Sequence, residues 1–203
     1  MPRGRYSLHD PHDHTPLGDE HFQCAHGPSG WRYVAQITSP SGEHAGSIDL
    51  TLDALARPIR MELHAGGWRV RGAAMDGVTW VRTASGGEGR EHNAAAHSFA
   101  GQSPAFLVAT ARLLAPELGQ RGSRGRLVYL APPVLAPRTI NQTWALVARD
   151  AHGTDTGPLT VESYQVGDLD TGEGMEVHLA GDVVLAAPGV ELEELDSPPS
   201  TST

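Results

Sequence analysis

The sequence is short of several things at once, and each shortage closes a class of function. It holds one cysteine, Cys24, in 203 residues, so an internal disulfide framework is excluded. Lysine is absent, and the 15 cationic side chains, all arginine, are scattered against 24 acidic ones. A net charge of −9 with no basic cluster argues against nucleic acid as a partner. No apolar run approaches the ~20 residues of a membrane-spanning helix. The opening stretch, MPRGRYSLHDPHDHTP, lacks the apolar middle region of a secretory signal. These absences predict a cytoplasmic protein with no transmembrane segment. A phosphate-cradling loop is missing too: GGEGRE is followed by no helix N-terminus at the needed spacing. No nucleotide or other cofactor is expected.

What is present is organised around Ser98–Leu118, SFAGQSPAFLVATARLLAPEL. Ser103 suits an N-cap and Pro104 the first helical position, where a missing N–H costs nothing. Leu107, Ala111, Leu114 and Leu118 recur at helical spacing, with Phe106 and Leu113 widening the stripe. Pro116 disfavours helix at Ala115, so the helix should stop between Leu114 and Leu118. Arg112 is expected on its solvent side.

Period-two alternation dominates elsewhere. Trp31, Tyr33, Ala35 and Ile37 share one face of a strand; Ile48, Leu50 and Leu52 share one face of the next. Ile59, Met61 and Leu63 follow, then a Gly66-Gly67 hairpin, Trp68 with Val70, an Asp76-Gly77 turn, and Val78 with Trp80 and Arg82. After the helix, strands are expected around Leu127 and Tyr129, from Gln142 to Ala148, from Leu159 to Tyr164, around Met175, Val177 and Leu179, and from Val183 to Ala187. Short turns force antiparallel neighbours. The expectation is a mainly β fold: a curled antiparallel roll or half-barrel of about ten strands around one central helix, Ser103 to Leu118, within a single domain of residues 20–195. Residues 1–19 and 196–203 read as disordered tails.

Three constellations could carry chemistry. His21, Cys24 and His26, with His9, His12 and His14 upstream, are zinc-ligand types. Their spacing matches no finger pattern, and no metal is expected. Ser103 in GQSP is not a nucleophile elbow; His64, His97 and His178 are candidate bases for a small hydrolase or cyclase. The third is the polar minority on apolar strands: Arg60, Glu62, His64, Arg69, Arg71, Arg82, Glu162, Tyr164 and His178. Either these form a solvated face, or some join the tryptophans in an amphiphilic pocket, the usual make-up of a small-ligand site. The ligand-binding set on the second reading is Trp68, Arg71, Trp80, Arg82, Trp144, Tyr164 and His178, with no catalytic residue. Arg82 is central to it. It alternates in phase with Val78 and Trp80, so its guanidinium either needs a partner, which a ligand head group would supply, or reaches the sheet edge and snorkels to water.

Four stretches resemble the bacterial glycolipid-binding domain family. SPAFLVATARLL, Ser103 to Leu114, is similar to that family's T-P-F-T-N-T-L-P-I-R-R-L segment, of whose arginine pair only Arg112 is kept. DLTLDALARPIRMEL followed by WRVRGAAMDGVTW resembles its strand–turn–strand pattern. Arg126 to Leu130 followed by Gln142 looks like its strand leading to a Gln-containing strand, and GDVVLAAPGVELEEL, Gly181 to Leu195, like its closing strand. HNAAAHSF stands where the family has Gly-Cys-Asp-Val-Asp. The likeness spans Glu20 to Leu195 and implies a rolled β sheet that holds a glycolipid-type ligand. The expected function is therefore non-enzymatic binding of a lipid-like or amphiphilic small molecule. An interaction module without a small ligand is the third class.

Overall fold

The structure, a computed structural model, describes residues 1–27, 30–154 and 157–200. Its strands before the helix are β1 (Arg3–His9), β2 (Pro16–Gly27), β3 (Gly30–Thr38), β4 (His44–Leu52), β5 (Pro58–Ala65), β6 (Trp68–Ala74), β7 (Val78–Ala84), β8 (Arg90–Ala94) and β9 (Ser98–Ala100). Helix α1 (Pro104–Leu114) leads to β10 (Ser123–Ala131), β11 (Ala136–Thr154), β12 (Gly157–Asp168), β13 (Gly174–Ala180), β14 (Val183–Ala187) and β15 (Val190–Leu195). All belong to one sheet, ordered β8-β7-β6-β5-β4-β3-β2-β1-β15-β14-β13-β12-β11-β10-β9. The chain starts in the middle of this sheet and walks outward to β8. It re-enters at the opposite edge as β9, then walks back until β15 pairs with β1. β9 and β10 are parallel, and α1 supplies the crossover that a parallel pair needs.

The topology requires a roll. Fifteen strands at ~4.8 Å would separate the edges of a flat sheet by roughly 65 Å. Yet β8 and β9 are joined only by residues 95–97, a link of about 15 Å at most. The sheet must curl until its edges approach. Phe99 on β9 packs edge-on to Trp80 on β7 at 6.4 Å, and a Cβ at Gly72 on β6 would lie 2.5 Å from the Phe99 ring. Arg82 clasps the same seam: its Nε and Nη2 donate to the Val134 carbonyl, at 3.0 and 2.7 Å, in the turn between β10 and β11.

The inward face is apolar. Across β1, β2 and β3, Tyr6 stacks on Phe22 at 4.6 Å, and Phe22 on Tyr33 at 5.6 Å. Trp31, Tyr33, Ala35, Ile48, Leu50, Leu52, Met61 and Leu63 are buried as their alternation predicts, whereas Ile59 is exposed. On β10 the paired positions Leu127 and Tyr129 share a face, but it is the outer one, where they pack with Ala100 and Ile140; Val128 and Leu130 point into the core.

Ser103 caps α1, its Oγ accepting from the Ala105 N–H at 3.3 Å. The helix ends at Ala115, which is left-handed, one residue before Pro116. Its burial corrects the expected stripe. Ala105, Phe106, Val108, Ala109, Thr110 and Ala111 are buried, Leu107 and Leu114 only partly, and Leu118 lies beyond the helix, 51% exposed. A helix enclosed by a roll has no broad solvent face. For the same reason Arg112 is turned inward, its guanidinium 5.3 Å from the centre of the Trp31 ring.

The expected N-terminal tail is corrected. Residues 1–19 form β1 and the start of β2, with Tyr6 1% and Leu8 6% exposed. Toward the other end, β15 pairs with β1, and Ser200 N–H donates to Asp182 Oδ1 at 2.8 Å; residues 201–203 lie outside the described residues. Exposed ion pairs accompany the backbone ladder between the two ends. Arg5 binds Glu194 and Asp19 at 2.9 and 3.0 Å, and Arg3 binds Asp196 at 2.8 Å. The strand count therefore rises from about ten to fifteen. The additions, β1, β2, β8, β9 and β15, are short or largely polar, with few apolar side chains such as Tyr6, Leu8, Phe22 and Phe99 turned inward. Among the described residues, no helix is long and apolar enough to cross a membrane.

Candidate functional site

The helix separates two clefts. Residues at its start, Ser103 and Phe106, line the first; residues at its end, Ala111 and Arg112, line the second. The first is a cavity of about 860 Å³, walled by Leu8, Leu17, Ile37, Leu63, Trp68 and Leu135 among others, with Glu20 and Ser103 on its floor. It lies at the end of the roll where β5 turns into β6 and β10 into β11. Gly66 and Gly67, both at positive φ, make the first of these turns. A Cβ at Gly66 would overlap the Pro133 carbonyl, so this glycine lets the two turns meet at the rim.

Glu20 is the chemically unusual member. On β2 it alternates inward with Phe22 and Cys24, and it is 0% exposed. Tyr33 O–H donates to its Oε1 at 2.6 Å, and Ser103 O–H donates to the same oxygen at 2.7 Å. Oε2 has no hydrogen-bond partner among the described residues. Burial pushes the carboxyl up to about 7, even though both hydroxyl donors pull it down. Tyr33 is pushed upward in turn by its burial and by the adjacent carboxylate. Sequence reading missed Glu20. The available signal was its phase: it shares a face with Phe22 and Cys24 in a strand that hairpins onto Trp31, Tyr33 and Ala35.

Trp68 is the member of the expected set that lines this cleft, with Arg82 stacked over its ring at 3.4 Å. Arg82 therefore has a partner within the chain, the Val134 carbonyl, and it braces the cleft wall. Trp80 is buried against His92 and Phe99. Trp144 is buried too, donating to Gln142 Oε1 at 3.1 Å and meeting Tyr164 edge-on at 5.8 Å. Tyr164 lines the second cleft, of about 660 Å³, and donates to Glu162 Oε2 at 2.7 Å. His178 bonds Ser163 Oγ at 3.0 Å through Nδ1. The structure thus does not bring Trp80, Arg82, Trp144 and Tyr164 into one pocket.

Arg71 belongs to an outer-face network. Glu62 meets Arg69 at 2.6 Å, Arg71 at 3.0 Å, His64 at 3.0 Å and Arg60 at 3.7 Å. Partial burial would raise its carboxyl, but hydrogen bonds from His64, Arg71 and Arg69 hold it down to about 2. An enzymatic reading would rest on a His–carboxylate pair: His64–Glu62 at 3.0 Å beside the first cleft, or His178–Glu176 at 3.6 Å, outside both clefts, with Ser163 on the other ring nitrogen. Glu62 already serves the arginines, however, and no hydroxyl or thiol among the described residues bonds His64. Of the candidate metal ligands, Cys24 is buried with its thiol 3.4 Å from Asp182 Oδ2, while His21 and His26 are exposed.

No family model matches the sequence, and no curated protein does. Two solved structures are similar in shape. One is a β-barrel-like protein of the domain of unknown function DUF1849 from Brucella abortus, with a TM-score of 0.42 and 14% identity over 96% of each chain. The other is a DUF1089 family protein from Pseudomonas aeruginosa. It is 17% identical, with a TM-score of 0.57 over 84% of this chain and 89% of that one, a likeness in fold.

Proposed function

We propose that the protein binds a lipid-like or other amphiphilic small molecule in the first cleft, without chemistry of its own. The observation that carries this reading is the cleft itself: about 860 Å³, apolar walls and a buried polar floor. That size and make-up are those of small-ligand sites. The sequence resemblance to the glycolipid-binding family points the same way, toward a ligand with a polar head and an apolar chain. Trp68 and the leucines would hold the chain, and Glu20 with Ser103 would meet the head. Trp80, Trp144, Tyr164, Arg71, Arg82 and His178 stay outside this contact set.

Nile red, a neutral dye that brightens in apolar surroundings, tests the reading. Wild type is expected to bind it saturably at one site. Ala65 lines the cleft and is only partly buried, so Ala65→Trp should fill the space and weaken the dye by about tenfold or more, some 1.4 kcal/mol. No saturable binding by wild type, or unchanged affinity in the variant, contradicts the proposal.

A further inference from the structure

The cleft floor also indicates how its occupant is oriented. Glu20 is 0% exposed, whereas Leu17 on the same lining is 38% exposed and Trp68 half-buried. Glu20 therefore lies deep, beside buried Phe106, Leu130 and Leu135, while Leu17 and Trp68 lie nearer a mouth that also carries exposed His44, Ser85 and Gln102. Ser103 Oγ accepts the Ala105 N–H, so its own hydrogen is free for Glu20. Tyr33 O–H reaches the same oxygen. Both donors meet at Oε1 and support the ionised carboxylate. Oε2, equally buried, has none among the described residues, and a buried carboxylate oxygen lacking a donor is costly. Of the basic groups on the lining, Arg69 and His64 are engaged by Glu62, and His44 stands exposed at the mouth.

We propose that the ligand enters head first, and that a hydrogen-bond-donating head group, a hydroxyl or an ammonium, is received by Oε2 of Glu20 while the chain lies back along Leu63, Trp68 and Leu17 toward the mouth. This rests on the binding reading above and narrows its ligand class. A donor head completes the shell of a carboxylate that already accepts two O–H groups, and such charge-assisted bonds are the strong ones. With Glu20 ionised, a carboxylate head would set lone pairs against lone pairs; a protonated Glu20 would instead donate to it. Glu20 is thus the specificity determinant of the cleft.

The test is displacement of Nile red at pH 8.5, where Glu20 is ionised, by three twelve-carbon amphiphiles: dodecan-1-ol, dodecylamine and dodecanoate. In wild type the alcohol, the amine or both should displace dye about tenfold more strongly than dodecanoate, the share of one charge-assisted hydrogen bond. Comparing alcohol with amine tells a hydroxyl head from an ammonium head. In Glu20→Gln the free position becomes an amide N–H, and the ratio between donor heads and dodecanoate should collapse or reverse. Glu20→Asp, which withdraws the carboxylate by one methylene, should shrink the same ratio and serves if the glutamine variant does not fold. Dodecanoate equal to or better than both donors in wild type, or a preference unchanged in the folded variants, overturns the proposal. If wild type binds no Nile red, the binding reading itself fails; if it binds dye without head-group preference, only the orientation fails.

Discussion

A protein lacking residues 1–9 should show no cooperative unfolding transition. β1 is paired on both sides, with β2 along seven residues and with β15 along five. Tyr6 and Leu8 are buried, and side chains of that size contribute about 1.5–3 kcal/mol each by burial. Tyr6 also accepts the Val184 N–H through its hydroxyl at 3.1 Å, tying β1 to β14. Removing the strand splits the sheet between its two halves and leaves two unpaired inner edges. The summed loss rivals the whole ~5–15 kcal/mol stability of a typical domain. Thermal melting followed by circular dichroism is the check. A cooperative transition within about 5 °C of wild type, roughly 1–2 kcal/mol at this length, would mean that β1 is an appendage.

The second large effect concerns pH. Glu20 has its folded-state carboxyl raised from 4.5 to about 7, chiefly by desolvation. Below 4.5 the carboxyl is protonated whether the chain is folded or not, and folding carries no ionisation penalty. Between 4.5 and about 7 the unfolded chain ionises while the folded one keeps its proton, so stability falls as pH rises. Above 7 the penalty is full, about 3 kcal/mol for a shift of this size. Glu20→Gln has no such titration. Urea denaturation at pH 5 and pH 8 should show wild type losing about 2.5 kcal/mol relative to the variant over that interval. The comparison cancels every group the two proteins share. Parallel stability curves would contradict the assignment of Glu20 as a buried, incompletely satisfied carboxyl.

The fold was legible where a strand has one wet and one dry face. The alternation in Trp31–Ile37 and Ile48–Leu52, and the Gly66-Gly67 turn, translate directly into β3, β4 and the β5–β6 hairpin. It was illegible where pairing, not side-chain pattern, makes the strand. β8 is REHNA and has only an alanine to bury. β15 is VELEEL, whose glutamates look like a solvated terminus until Arg5 is found beside them. That arginine is nearly two hundred residues distant in sequence, and no local window contains both partners. The site was harder still. Arg82 stood out because a cation shares the phase of Val78 and Trp80, but a backbone carbonyl carries no sequence signature, and Val134 O is its partner. The tryptophans mark the core of the roll more than its cleft. Glu20 went unnoticed because a lone carboxylate reads as solvated; only the roll, bringing Tyr33 and Ser103 onto one oxygen, makes it unusual.

The central claim is that the first cleft holds one amphiphile. Native mass spectrometry of wild type and Ala65→Trp, each mixed with dodecan-1-ol, tests it most directly. The account predicts a one-to-one adduct on wild type that is lost from Ala65→Trp. An adduct of equal abundance on both proteins, or none on wild type, would contradict it.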